Sequence, residues 1–453
     1  MKKIFIIGSG FSSISASTYL AKKGYNVTVF EKNSTVGGRA RQFKKHGFTF
    51  DIGPSWYWMP DVFESYFKDF GKKVSDYYNL EKLNPAYEVY FNTLDSIKIG
   101  DSLEKICAEF ERIEPGSSIL LKRFMKKAEK HYEIAVKDMV YKPGISPFEL
   151  VNSKTIVRLK YFLSNIKKEV EKDFKNEKLS QILQFPVLFL GAKPSKTPAF
   201  YNFMNHADFG LGTWHPKKGM YSVIEGMKKL AEEMGVSFET NQSVEKIVVN
   251  RNTASGIVSN GEKKYCDVLV SGADYHHTES LLEEKFRSYD NSYWESKVFA
   301  PSSLLFFVGL DKKIKRVSHH TLFFDVDFDL HATEIYDNPK WPSNPLFYGN
   351  FPSITDPSMA PAGKEACFFL IPIAPGISDS KKTREKYFEI IINRLEKLTN
   401  QSIKDFVLFK ESFCVKDFEK DYNSYKGNAY GLANTLKQTA FLRPKMISKK
   451  VKN

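Results

Sequence analysis

A short glycine turn near the start of the chain, Gly8-Ser9-Gly10, restricts the possible folds more than any other feature. It follows Ile4-Phe5-Ile6-Ile7, a run of β-formers that reads as a buried strand. Residues 11–23 after it read as a helix, closed by Gly24 in the C′ position. Residues 26–31 (NVTVFE) read as the next strand, which completes a β-α-β unit. In that setting Gly8 permits the tight turn, and Gly10 lets the backbone approach a pyrophosphate. The helix N-terminus adds free N–H groups and a partial positive charge. Ser13 stands where a third glycine is usual, and it is small enough for the helix to pack on the strand. Glu31 closes the second strand, where a carboxylate accepts from a ribose 2′-OH; an acid there disfavours a 2′-phosphate and so argues against NADP. Lys2-Lys3 followed by four apolar residues imitates a secretory leader, but the run stops at Gly8 and the nucleotide unit continues it.

The segment after the second strand separates flavin from nicotinamide. Val36-Gly37-Gly38-Arg39 follows directly, and Phe50-Asp51-Ile52-Gly53-Pro54-Ser55 follows a further short strand. Two glycines before an arginine let the backbone fold under a cofactor while the guanidinium reaches phosphate. Farther on, apolar periodicity predicts helices over 60–70, 102–113, 115–140, 219–235 and 383–399, and a helical block over 147–190. Strands are expected over 236–240, 244–249, 254–258 and 267–271, with a hairpin turn at Asn260-Gly261. A strand-rich stretch runs from 302 to 373. The whole reads as an α/β protein with a Rossmann-like domain built from discontinuous segments, plus a mixed sheet and helical substrate domain.

Composition narrows the class. With 453 residues, 42% hydrophobic and 26% charged, the chain is a folded globular protein with a large core. No apolar run approaches the ~18–20 residues of a membrane-spanning helix. The four cysteines are widely spaced, without a C-x-x-C pair, which points to a reducing cytosol and to no disulfide framework or metal site. A net charge of +14 raises nucleic acid and anionic membranes as partners, yet no nucleic-acid-binding module is present. The 38 Phe and 23 Tyr suit a large apolar cavity.

Taken together, these motifs resemble the carotenoid desaturases of the phytoene desaturase type, within the amine-oxidase-like flavoproteins. The resemblance rests on GSGFSSISASTYLAKKGYNVTVFEKNSTVGGRA (8–40), GFTFDIGPSW (47–56), KKGMYSVIEGMKKLAEEMGV (217–236), VEKI (244–247) and VLVSGADY (268–275). Later blocks that fit are SMAPAGKEACFFLIPIAPG (358–376) and YGLANTLKQTAFLRP (430–444). It implies FAD as cofactor. Gly8, Gly10 and Ser13 would line the pyrophosphate, Glu31 would hold the ribose, and Gly37 and Gly38 would carry Arg39 to a phosphate. Gly53, Pro54 and Ser55 would lie beside the flavin ring, Val244 would meet the adenine through its backbone, and Ala273 and Asp274 would sit in the returning loop. Asp274 equally suits a helix cap. The family's later block G-x-x-x-x-P-G-x-G-x-P is not reached by Asn453, so by this resemblance the sequence is either a fragment or a natural truncation, with part of the flavin wall expected to be missing from it.

The resemblance also implies an expected division into 1–90 (FAD), 91–214 (helical, membrane-facing), 215–290 (FAD), 291–410 (strand-rich substrate part) and 411–453 (start of the last FAD segment). The implied reaction introduces conjugated double bonds into phytoene or a later C40 intermediate. A substrate without a polar handle must be held by shape in an apolar tunnel, with the cofactor accepting hydride. No catalytic base is identified; His206, His215, His276, His277, His319 and His320 are candidates only because imidazole titrates near neutrality. Within 154–178, Leu159, Tyr161, Phe162 and Leu163 among Lys154, Arg158, Lys160, Lys167 and Lys168 suit a basic amphipathic surface on anionic lipid, which places the protein peripherally at the inner face of the cell membrane. An ordinary solvated helix face accounts for the same residues. Rival readings are a polyene (retinol-type) saturase or amine oxidase on the same fold, and a non-enzymatic lipid binder of the GDP dissociation inhibitor type or an inactive truncated flavoprotein.

Overall fold

The computed structural model describes residues 1–144, 146, 159–438 and 442–453. The N-terminal unit folds as its residues dictate. Strand β1 (Lys3–Ile7) is buried from Ile4 onward, helix α1 spans Phe11–Lys22, and strand β2 (Asn26–Phe30) pairs parallel to β1 with Ile4 opposite Val27. Gly24, at φ +84°, ends α1: its N–H bonds Ala21 O at 2.8 Å, and Tyr25 N–H reaches Leu20 O at 3.3 Å. This paired closure satisfies carbonyls that the helix end leaves free. The parallel sheet is completed by Ser237–Glu239 beside β2 and Val268–Ser271 beside β1. Two distant stretches of chain therefore build one nucleotide-binding sheet.

The second body is a seven-stranded mixed sheet, in the order Val407–Phe413, Ser302–Leu310, Glu365–Ile373, Phe347–Asn350, His320–Phe323, Tyr87–Asn92, Asp95–Ile99. Its two faces alternate with period two. Leu304, Phe306 and Val308, with Cys367, Phe369 and Ile371, pack under the helix Lys381–Thr399. Leu305 and Phe307, with Phe368, belong to the opposite core, shared with the helices Leu103–Ile113 and Ser117–Lys137. Because both faces are covered, Ser302–Leu310 is buried along its whole length.

The expected α/β architecture with a discontinuous Rossmann-like domain and a mixed-sheet domain is the one observed. Asn260 and Gly261, both at positive φ, join Thr253–Ser259 to Glu262–Tyr265 in the expected hairpin. Unexpected are the strands Tyr87–Asn92, Asp95–Ile99 and Val407–Phe413 and the helix Val415–Tyr422. Tyr87–Asn92 forms an antiparallel hairpin with Asp95–Ile99 on one side and pairs in parallel with His320–Phe323, more than two hundred residues away, on the other. That strand spans residue 90, where a domain boundary is expected, and Val407–Phe413 likewise spans 410. Among the described residues, no helix is long and apolar enough to cross a membrane. Residues 147–158 of the expected helical block lie outside the described residues.

Candidate active site

The glycine turn is closed by its own contacts. Gly8 stands at φ +81°, its N–H bonds Phe30 O at 2.8 Å, and a Cβ added to it would meet Ala273 N at 3.6 Å. Gly38 is packed so closely on Gly10 that an added Cβ would lie 3.1 Å from Gly10 Cα. A side chain at Gly10 itself would meet nothing within 4 Å, so the turn presents bare backbone to open space. No side chain caps the N-terminus of α1. Exposed backbone at an uncapped helix N-terminus is what a pyrophosphate requires, and in this respect the residues fit a dinucleotide. Ser13 is buried against Gly272, where an added Cβ would fall 1.9 Å from Ser13 Oγ.

Glu31 is buried beside this turn. Its Oε2 accepts from Ser9 N (3.1 Å) and Ser9 Oγ (2.6 Å), and its Oε1 from Asn33 N (2.9 Å) and Asn33 Nδ2 (2.8 Å). Gly37 N–H in turn bonds Ser9 O at 2.9 Å. The sequence-predicted Gly8, Gly10, Ser13, Glu31, Gly37, Gly38 and Ala273 thus form one contiguous cluster. Val244 is buried with Phe5, Ile7 and Phe30 in a core against which Ala273 also packs, and Gln242 N–H, two residues before it, bonds Glu31 O at 2.8 Å. Asp274 caps the helix Tyr275–Ser280, accepting from His276 N at 3.0 Å.

Arg39 links this cluster to a cavity. Its backbone runs so close to Gly53 that a Cβ there would stand 1.9 Å from Arg39 O, which explains the glycine. The guanidinium is buried: Nη2 donates to Ser424 Oγ (3.2 Å) and Asn428 O (3.4 Å), while Nε has no hydrogen-bond partner among the described residues. Burial pulls Arg39 below the usual guanidinium value, with Asp274 and Tyr422 opposing. A buried guanidinium with an unused donor is suited to an anion. Arg41, close by, is paired with Asp421 and stacks over Tyr422 at 5.1 Å.

Beyond Arg39 opens a cavity of about 390 Å3. Gly53, Pro54 and Ser55 form part of its wall, and aromatic and aliphatic side chains from one face of the mixed sheet form most of the rest, among them Leu305, Leu322, Tyr348 and Leu370. Phe328, Ala332 and Ile335 close it from the helix Phe328–Tyr336. The hairpin that carries Gly53–Ser55 is anchored by Asp51, whose carboxylate accepts from Met220 N (2.7 Å), Tyr221 N (3.2 Å) and Gln42 Nε2 (3.0 Å). Burial raises Asp51 above the ordinary carboxylate range. Gly219, at φ +93°, is required because a Cβ would strike Asp51 Oδ2 at 2.5 Å.

The six candidate histidines separate. His215, His319 and His320 are buried side by side. His276 and His277 flank the segment 423–425, and His206 packs on Tyr132. Sequence reasoning missed the C-terminal contributions of Asp421, Tyr422 and Ser424. Their partners lie nearly four hundred residues away, and no local motif marks them. Trp56, inside the quoted GPSW, was the available signal for the cavity's aromatic wall.

Comparisons with known proteins agree with this geometry. A family model described as flavin containing amine oxidoreductase matches residues 12–453. A carotenoid 3,4-desaturase of Haloarcula japonica is 38% identical over 97% of this chain and 90% of its own length. A 4,4′-diapophytoene desaturase of Staphylococcus haemolyticus is 31% identical over 99% of this chain and 92% of its own. Among solved structures, an oxidoreductase from Methanosarcina mazei matches with a TM-score of 0.60 at 18% identity, covering 91% of this chain and 88% of that one, which establishes the fold. The chain therefore belongs to the flavin containing amine oxidoreductase family, and its cofactor is FAD. Within that family it stands with the carotenoid desaturases.

Proposed function

We propose that this chain is an FAD-dependent carotenoid desaturase that introduces conjugated double bonds into phytoene or a later C40 intermediate. One observation carries the reading: the aromatic, apolar cavity opens directly onto Arg39 and Gly53–Ser55, the segment that would meet the cofactor. A polyene has no polar group to grip, so shape and exclusion of water must hold an allylic C–H in place, and this wall supplies both. Similarity to the Haloarcula and Staphylococcus desaturases over nearly the whole chain supports the same substrate class.

In this reading Gly8, Gly10 and Ser13 cradle the pyrophosphate at the start of α1, and Arg39 Nε takes a phosphate oxygen. Glu31 exchanges the Ser9 hydroxyl for a ribose hydroxyl. Gly53, Pro54 and Ser55 lie along the flavin ring, Val244 contributes backbone groups near the adenine, and Ala273 with Asp274 closes the loop beside Gly8. When bound, FAD supplies the acceptance of hydride.

A lipid-soluble substrate also requires access to a bilayer. Val140, Tyr141 and Leu163 are exposed large hydrophobics, with Lys137 and Lys168 nearby in sequence, and they support docking on an anionic membrane. Of the residues expected to form that surface, Tyr161 and Phe162 are only half-exposed: Phe162 stacks on Phe200 at 4.4 Å. Lys167 is bound to Asp329 at 2.6 Å. Lys154, Arg158 and the side chains of Leu159 and Lys160 lie outside the described residues. The testing experiment incubates the FAD-loaded chain with phosphatidylglycerol vesicles carrying phytoene, diapophytoene or lycopene. Chromatography is expected to show products with longer conjugation from one of them. Unchanged polyenes in all three would overturn the reading.

A further inference from the structure

The floor of the cavity contains a hydrogen-bonded chain that neither cofactor binding nor polyene shape explains. Ser55 Oγ lies 2.9 Å from Tyr348 Oη, and Tyr348 Oη lies 2.6 Å from His320 Nδ1. Trp56 stacks flat on the His320 ring at 4.1 Å and 12°. The direction of the chain follows from its neighbours. The His319 carbonyl can only accept, so the Asn350 Nδ2 group 3.2 Å away is the amide donor. The same Nδ2 stands 3.2 Å from His320 Nδ1, which makes Nδ1 an acceptor. Tyr348 therefore donates to His320, and Ser55 donates to Tyr348.

Two further imidazoles continue behind His320. The His319 ring lies 4.5 Å from it, and the His215 ring lies 4.6 Å from His319. His215 Nε2 stands 3.5 Å from Asp356 Oδ2, and Asp356 also accepts from Lys218 N and Ser358 N. All three rings are buried, and none of their Nε2 atoms has a hydrogen-bond partner among the described residues. No carboxylate stands among the described residues lining the cavity. His331 is used up structurally: its Nδ1 accepts from Leu346 N at 2.8 Å and its Nε2 donates to Pro372 O at 2.9 Å. Tyr422 is engaged by Arg41. Among the described residues facing the cavity, Tyr348 is the one that delivers its hydroxyl to an imidazole.

We propose that Ser55, Tyr348 and His320 form the proton-accepting relay of the desaturation, with Tyr348 against the substrate and His320 as the base behind it. The inference rests on the desaturase reading. Forming one double bond from a CH–CH unit removes two hydrogens. One leaves as hydride, its C–H electron pair going to FAD. The other leaves as a proton: its C–H bond breaks, that electron pair becomes the new π bond, and the proton bonds Tyr348 Oη. The proton already on Tyr348 moves to His320 Nδ1, leaving an imidazolium. A carbon skeleton that has lost hydride is strongly acidic at the adjacent C–H, so a weak base suffices. Burial and the neighbouring His215 hold His320 well below the usual imidazole value, so it stands neutral and ready to accept. The groups around it are His319, His215 with Asp356 beyond, Tyr348, Asn350 and Trp56; Glu88, on an adjoining strand, is turned to Ser318.

The test uses the full chain as Tyr348→Phe, His320→Gln and the double variant, each loaded with FAD and given the polyene vesicles that the parent converts. Both single variants are expected to keep the flavin absorption band and to lose about 10²-fold in turnover. The double variant loses no more than either single one, because the residues act as a unit. The acid-side fall of the parent's pH–rate profile, which marks protonation of His320, disappears in Tyr348→Phe. A second readout needs no cofactor: nitrogen NMR of the FAD-free chain is expected to show a His320 Nδ1 that accepts, with a resonance that moves in Tyr348→Phe. Parent-like turnover and pH profile in Tyr348→Phe, or a His320 protonated on Nδ1 at neutral pH, overturns the relay alone. A parent that converts no polyene overturns the desaturase reading and the relay with it. If His320→Gln does not fold, Tyr348→Phe decides the matter.

Discussion

Arg39 is the side chain on which cofactor affinity most directly depends, since it is buried with a donor left over. Arg39→Gln removes the charge, and its shorter amide gives up the Nη2 contacts to Ser424 and Asn428. Charged hydrogen bonds contribute about 1.5–3 kcal/mol each, so FAD affinity is expected to fall roughly 10- to 100-fold. A flavin absorbance titration measures it, and an unchanged dissociation constant would exclude the phosphate role. Asp208 makes a different prediction at the same scale. It is buried, accepts from Tyr87 Oη at 2.9 Å, and is raised by burial from 3.8 to about 8. Between those values the unfolded chain is ionised while the folded one stays protonated. Stability is therefore fully present below about pH 4 and falls by about 1.4 kcal/mol per pH unit until the folded value is reached. Asp208→Asn cannot ionise, so its melting temperature should gain on the parent from pH 4 to pH 8 and run parallel above. Parallel curves throughout would show that Asp208 does not carry this shift. At this scale the sequence was informative where chemistry needs a special backbone, as at Gly8, Gly38 and Gly53, and uninformative where it needs a distant partner. Asp421 and Ser424 reach the arginines only after the chain has returned, and no spacing rule encodes that.

Elements differ in how far their sequence alone defines them. The helix Lys381–Thr399 was readable because its buried side chains Tyr387, Phe388, Ile391, Ile392, Leu395 and Leu398 recur at helical spacing. Its first turn adds a local signal: Ser380 Oγ accepts from Thr383 N at 3.1 Å. Ser380→Ala should cost about 1 kcal/mol, whereas Leu395→Ala, in the core under the mixed sheet, should cost about 2–5 kcal/mol. Denaturant unfolding with unchanged flavin content measures both. Equal losses would mean that the helix is held by its cap rather than by its packing. The strand Tyr87–Asn92 was missed for the complementary reason. YEVYFN is buried at its first four positions, so its burial does not alternate, and one of its two neighbours is a parallel strand late in the chain. Its hydrogen-bond partners are what make it a strand, and these exist only in the folded molecule.

At the scale of the whole molecule, two bodies with different tasks meet at the cavity. The nucleotide-binding body contributes Arg39 and Gly53–Ser55, and the mixed sheet with the helix Phe328–Tyr336 contributes the apolar wall. The period-two alternation of the sheet is what makes the division possible: one face is closed under Lys381–Thr399, and the other is left to line a space. Cofactor binding and substrate binding should therefore be separable by mutation. Ala332 faces the cavity from the helix side, remote in sequence from every residue assigned to FAD. Ala332→Trp places an indole where the polyene would lie and leaves the glycine turn, Glu31 and Arg39 untouched. The FAD-loaded variant should keep the parent's flavin spectrum and melting temperature within a few degrees while polyene conversion falls at least about tenfold, the order expected when a reacting C–H is displaced from its productive position. Loss of flavin together with activity would mean that the cavity and the nucleotide site are one mechanical unit. Full conversion by a correctly folded Ala332→Trp would place the substrate elsewhere, because a rigid polyene and an indole cannot share the same apolar volume.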